Sequence, residues 1–196
     1  MRVLAIGAHP DDIEIACSGT LAKCVKRGDK VIVCHASTGN LGHVIIPPDE
    51  LTEIRKKEAE KAGSLAGIEV IGGMFNDLDI FDNNKAARDK MVEVIKYAQP
   101  DFIITHNPDD YMPDHTAVSR LVFDASFTAT LPNYKCGGEK AAKLVPIYYM
   151  DTLAGVNFNP TEFVDISDEI DLKIKMLECH ESQLVWMKEH DGIDFA

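Results

Sequence analysis

Residues 3–8 run Val-Leu-Ala-Ile-Gly-Ala, an apolar stretch too short for a typical buried helix and unbroken by polar positions, so both of its faces must be covered. A strand of this kind belongs in the interior of a parallel sheet. Similar runs near 30–35, 69–73, 102–106 and 146–150, with a weaker one near 162–166, alternate with helical patterns near 13–27, 50–66, 84–98, 114–128 and 168–188. This alternation predicts a single α/β domain over 1–196, a three-layer sandwich with a mostly parallel sheet between helices. Gly28-Asp29, Gly67 and Gln99-Pro100 stop the first three helices. The stretches 41–49 and 131–143, rich in Gly and Pro, are expected as loops over a binding crevice.

Two strand exits carry chemistry. His9-Pro10-Asp11-Asp12 follows the first run, and Asn107-Pro108-Asp109-Asp110-Tyr111-Met112-Pro113-Asp114-His115 follows the fourth. In a parallel sheet both loops emerge on one edge, so His115 can approach His9 and Asp12 across a crevice. Imidazole and carboxylate oxygen suit Zn2+, and three protein ligands with an open fourth position are the arrangement of catalytic zinc. Of the adjacent Asp11 and Asp12 at most one is a direct ligand, which leaves the other as a base toward water. The first tetrapeptide taken alone reads equally well as a turn and helix N-cap.

Composition narrows the function. Thirty-two acidic and twenty basic residues give a formal net charge of −12, which disfavours nucleic acid and points to a small substrate. No apolar run approaches the length of a membrane span, and the start lacks the pattern of a secretory leader, so no membrane partner and a cytoplasmic location are expected. Cys17, Cys24, Cys34, Cys136 and Cys179 form no C-x-x-C pair and are expected reduced and mostly buried. A dinucleotide site is excluded, because the first strand leads into two carboxylates where a glycine-rich pyrophosphate loop would stand.

The chain resembles the PIG-L/LmbE-like zinc-dependent N-deacetylases over about residues 2–185. The opening signature is Ala8-His9-Pro10-Asp11-Asp12 with Glu14 and Gly19-Thr20-Leu21-Ala22. It is followed by Arg55-x-x-Glu58, Asp77, Pro113-Asp114-His115, and His180-Glu181-Ser182-Gln183. In motif detail it is most similar to the bacillithiol-type deacetylases. The resemblance implies a Rossmann-like fold and a zinc-dependent hydrolase that removes acetyl from an N-acetylated sugar or glycoside-like small molecule. It places zinc on His9, Asp12 and His115, makes Asp11 the general base, and assigns Asp114 to the catalytic machinery. It also implies substrate contacts for Arg55 and Asp77. Many relatives run on for some tens of residues, so a C-terminal extension that covers the pocket or builds a homo-oligomer is expected to be missing.

Two positions depart from the family. Met112 stands where relatives carry a histidine paired with the residue at 114, and Asn40 stands where Glu is common. Methionine neither gives nor takes a proton. Asp11 would then act as both base and acid, or Tyr111, His106 or another histidine would substitute, or the chain would be a zinc-binding member with weak or lost catalysis that acts as a ligand-binding protein. Tyr111 and His43 are taken as substrate-binding positions, His43 reading equally as a solvent-exposed loop residue. His35 reads as a crevice wall, and the His180–Gln183 segment as a structural hydrogen-bonding element.

Overall fold

A computed structural model describes residues 1–138, 140–190 and Gly192. Five parallel strands, β1 (Arg2–Gly7), β2 (Lys30–Ser37), β3 (Glu69–Phe75), β4 (Phe102–His106) and β5 (Ile147–Met150), form one sheet in the order β3-β2-β1-β4-β5. Successive strand residues point to opposite faces, and here both faces are buried. Leu4, Ile6, Ile32, Cys34 and Ile103 pack on α4 (Lys85–Ala98) and α5 (Pro113–Thr128). Val3, Ala5, Val31, Val33 and Ile104 pack on the other layer, made by α1 (Asp12–Ala16), α2 (Ser18–Lys26), α3 (Pro48–Ala66) and α6 (Ile170–Glu178). A seventh helix, α7 (Glu181–His190), follows. This is the expected Rossmann-like three-layer sandwich.

Helix ends follow local chemistry. Gly67 and Gln99 close α3 and α4 in the left-handed region, with φ of 69° and 46°. The Asn84 side chain accepts the Ala86 N–H at 2.8 Å to start α4.

Four expectations need correction. The pattern 13–27 is two helices broken at Cys17, because Ser18 Oγ donates to the Glu14 carbonyl and Lys173 Nζ to the carbonyls of Glu14 and Ile15. Those carbonyls are satisfied by side chains, so the helix need not run on. The pattern 168–188 is a 3-10 turn at Ser167–Glu169 followed by α6 and α7, separated at Cys179 and His180, the latter fully buried. The apolar alternation at 162–166 finds no strand to pair with; Phe163 there is 83% exposed. Finally, the segment 131–143, of which position 139 lies outside the described residues, joins the end of α5 to the start of β5. It therefore sits at the amino edge of the sheet, away from the crevice, where Lys96 of α4 donates to its Tyr134 and Cys136 carbonyls at 2.8 Å.

The chain lays β1, β2 and β3 outward in one direction and then returns to place β4 on the other side of β1. At that reversal the loops after β1 and β4 diverge, and a crevice opens at the carboxyl ends of the two strands. No helix among the described residues is long and apolar enough to cross a membrane.

Candidate metal centre and catalytic crevice

The crevice, about 300 Å³ in volume, is floored by both His/Asp loops. The His9 N–H donates to Asp12 Oδ2 at 2.6 Å and closes the turn that starts α1. Asp11 lies between them with φ 130° and ψ −26°, a region costing a non-glycine residue about 1–3 kcal/mol. This strain is held by α3, whose Arg55 is 2% exposed. Arg55 Nη2 lies 3.1 Å from Asp11 Oδ2 and donates to the Pro10 carbonyl, and Nη1 donates to the Gly39 carbonyl at 3.1 Å. Glu58, one turn further along α3, accepts the Ser182 N–H and hydroxyl at 2.8 and 2.7 Å, while Gln183 Nε2 donates to the Gly42 carbonyl at 3.1 Å. The segment at 180–183 thus ties α7 to the crevice wall, the structural role read from its sequence.

Across the crevice, Pro113 starts α5 and its first turn presents Asp114 and His115. His115 Nδ1 lies 2.9 Å from Asp110 Oδ2. A carboxylate only accepts, so this contact places the ring proton on Nδ1 and turns the Nε2 lone pair outward. Nε2 is buried without a hydrogen-bond partner and lies 3.3 Å from Asp12 Oδ1. An imidazole nitrogen and a carboxylate oxygen facing each other at that separation are held together by a proton or a metal cation shared between them, and burial lowers but Asp12 and Asp110 together raise the His115 pKa. His9, Asp12 and His115 bring ligand atoms within 4.8 Å of one another. The orphaned nitrogen, the facing carboxylate and the second imidazole fit a divalent metal. Atoms of His106, Asp110 and His115, and of His9, Asp77 and Asp114, also come that close and flank the first set on either side.

Without a metal the acidic and imidazole groups of this set pair with one another. Burial would lower the His9 pKa, but hydrogen bonds to Asp114 and Asp12 carry it up to about 10. Burial would raise Asp12, yet His115 and His106 hold it well below the usual carboxylate range. Asp114 is lowered against its burial by His9, at 3.1 Å, and by the Leu78 N–H, at 2.9 Å. At Asp11 burial prevails over Arg55 and the carboxyl is raised.

The remaining sequence-derived positions divide. Asp77 lines the crevice; its Oδ2 accepts the Leu41 N–H at 2.9 Å, and its own N–H donates to Asn40 Oδ1 at 3.0 Å. Asn40, an apparent departure, thus clasps two crevice loops together. Arg55 also lines the crevice, though its guanidinium is already committed. His43 and Tyr111 are not among the lining residues. His43 Nδ1 accepts the Ile45 and Ile46 N–H groups and its ring stands 5.8 Å from Trp186, while Tyr111 is 49% exposed. His106 is 2% exposed, its Nε2 accepts the Ala8 N–H at 2.9 Å, and its ring stacks on His115 at 3.8 Å. It braces His115 from the side. Asp110 escaped the sequence reading because an Asp in a Pro-Asp-Asp turn is what turn chemistry alone supplies. Glu14, His35 and His180, read separately in the sequence, are all buried, with His180 Nε2 3.5 Å from Glu14 Oε2.

Comparison with known proteins agrees. Residues 4–126 match the PIG-L family model, described as GlcNAc-PI de-N-acetylase. The chain is 29% identical over 200 residues to a diacetylchitobiose deacetylase of Thermococcus kodakarensis, covering 94% of this chain and 72% of the relative. It is 27% identical over 189 residues to a 4-oxalmesaconate hydratase of Pseudomonas putida, covering 92% and 73%. The solved N,N'-diacetylchitobiose deacetylase of Pyrococcus horikoshii, an inhibitor complex, superposes with a TM-score of 0.81 at 26% identity, covering 97% of this chain and 74% of that one.

Proposed function

The chain belongs to the PIG-L family of GlcNAc-PI de-N-acetylases, and on that premise we propose that it is a zinc-dependent amide hydrolase removing acetyl from an N-acetylated sugar or glycoside-like small molecule. The observation that carries this reading is His115: one ring nitrogen is tied to Asp110 and the other, buried and unpartnered, faces Asp12. His9, Asp12 and His115 would hold the metal, with two imidazoles and a carboxylate suiting zinc. Zinc at this position would acidify water and polarise the acetamide carbonyl.

The chain's own groups supply the rest. Asp11 takes a proton from the attacking water as its oxygen bonds to the carbonyl carbon, and returns it to the nitrogen as the carbon–nitrogen bond breaks, leaving acetate and a free amine. Its raised pKa makes it the stronger base, and Arg55 fixes its position. Asp114 orients His9. Met112 lines the crevice at the position where the family resemblance implies a histidine, so both proton transfers are assigned to Asp11. The hydratase relative makes water addition to a double bond the rival chemistry. Among the described residues Arg55 is the only Lys or Arg lining the crevice, and it is bound to Asp11 and two carbonyls, so none of the described lining residues offers a free side-chain cation to a carboxylate-bearing substrate.

The test pairs two variants. Asp11→Asn should keep its zinc and lose deacetylation by about 10²–10⁴-fold, and His115→Ala should fold without zinc. Near-normal turnover in the first, or stoichiometric zinc in the second, refutes the assignment.

A further inference from the structure

Among the described residues, the crevice wall outside the metal centre carries few polar side chains. Beyond His9, Asp11, Asp12, Asp77, Asp114 and the committed Arg55, it is formed by Ile15, Leu41, Leu78, Met112, Leu153 and Met187, with Gly42, Pro113 and Gln183. Gln183 is 6% exposed, and one of its amide N–H groups is committed to the Gly42 carbonyl. A site that receives only sugar hydroxyls needs donors and acceptors here, since unpaired hydroxyls bind poorly.

The rim is also preorganised. Leu41, Leu78 and Leu153 remain 52%, 64% and 39% exposed. Leu41 and Leu78 are pinned by their own backbones: the Leu41 N–H donates to Asp77 Oδ2 and the Leu78 N–H to Asp114 Oδ2, both at 2.9 Å. Leu78 holds φ at 63°, a strained conformation for a branched aliphatic residue and one that persists only where the surroundings impose it. Exposed leucines locked at the mouth of a catalytic crevice are a contact surface. Around the rim itself none of the described lining side chains carries a free positive charge, so nothing there favours an anionic substituent.

Resting on the deacetylase reading above, we infer that the substrate is an N-acetylated amino sugar bearing an uncharged apolar substituent, and that Leu41, Leu78, Met112 and Leu153 select that substituent. The acetyl carbonyl must reach the base of the crevice at Asp12, 7% exposed, so the rim meets the part of the substrate remote from the reacting amide.

The experiment compares zinc-loaded protein on methyl N-acetyl-β-glucosaminide, phenyl N-acetyl-β-glucosaminide and methyl N-hexanoyl-β-glucosaminide, with calorimetry of metal-free protein titrated with phenyl and methyl β-glucosaminide. The phenyl N-acetyl glycoside should exceed the methyl one in kcat/KM by at least about 10-fold, and in the double variant Leu41→Ser/Leu153→Ser that ratio should fall toward one. Phenyl glucosaminide should bind the metal-free protein more tightly than methyl, with a negative heat-capacity change. Equal kcat/KM for the two acetyl substrates overturns the inference and leaves the deacetylase reading standing, as does a gain confined to the hexanoyl substrate. Acetate release from neither, with zinc bound, overturns the reading itself.

Discussion

The Arg55–Asp11 pair is where the account meets stability most sharply. The two side chains are 3% and 12% exposed and 3.1 Å apart, so at an effective dielectric of ~20 their gross attraction is about 5 kcal/mol. Arg55→Met keeps the aliphatic stem but leaves Asp11 buried and unpaired and deprives the Pro10 and Gly39 carbonyls of donors. Removing one partner of such a pair costs about 3–5 kcal/mol, which for a domain of this size lowers Tm by about 6–20 °C. The change should be measured by thermal and urea unfolding in chelator, so that metal binding does not enter the comparison. Asp11→Asn removes the stranded charge, so Arg55→Met should cost much less in that background, with a coupling of about 2–3 kcal/mol in the double-mutant cycle. Additive effects, to within about 0.5 kcal/mol, would show that Arg55 and Asp11 are neighbours rather than an energetic unit, and would remove the reason given for the strained backbone at Asp11.

Asp110→Asn preserves shape behind His115 but no longer fixes its tautomer; zinc affinity, read by competition with a chromophoric chelator, should weaken about 10–100-fold, and unchanged affinity would contradict the role. Gly72 has φ 137°, and an added Cβ would lie 1.9 Å from the His35 carbonyl oxygen, so Gly72→Ala should lose several kcal/mol (roughly 3 or more) of stability or fail to accumulate as folded protein; a wild-type unfolding midpoint would show that β3 is free to shift. Burial pushes the Cys34 thiol up to about 12 and, with Glu14 adding to it, Cys17 likewise. Neither should react with a thiol reagent in the native protein at neutral pH, whereas Cys136, partly exposed, should react first.

The sheet was legible because the runs of β1, β2 and β4 are apolar enough to be buried on both faces, and the crevice because parallel strands must deliver the loops after 7 and 106 to one edge. What escaped was set by side chains that meet from distant segments. Nothing local announces that Lys173 will take the carbonyls of Glu14 and Ile15 and end α1 after five residues. The break at His180 likewise depends on the buried contact with Glu14, 3.5 Å away. The alternation at 162–166 is a true strand signal without a partner, since the sheet ends at β5. In the site, His9, Asp12 and His115 were legible as ligand types on converging loops. Asp110 behind His115 and the short reach of Arg55 to Asp11 depended on distances that sequence does not carry.

The central claim is that one metal, held by His9, Asp12 and His115, makes this crevice an amide hydrolase. Metal-stripped protein titrated with zinc, with acetate released from phenyl N-acetyl-β-glucosaminide as the readout, tests it directly. Release should be absent without metal and should rise to a plateau at one equivalent per chain. Release that is independent of zinc, or absent after one equivalent has bound, would contradict it.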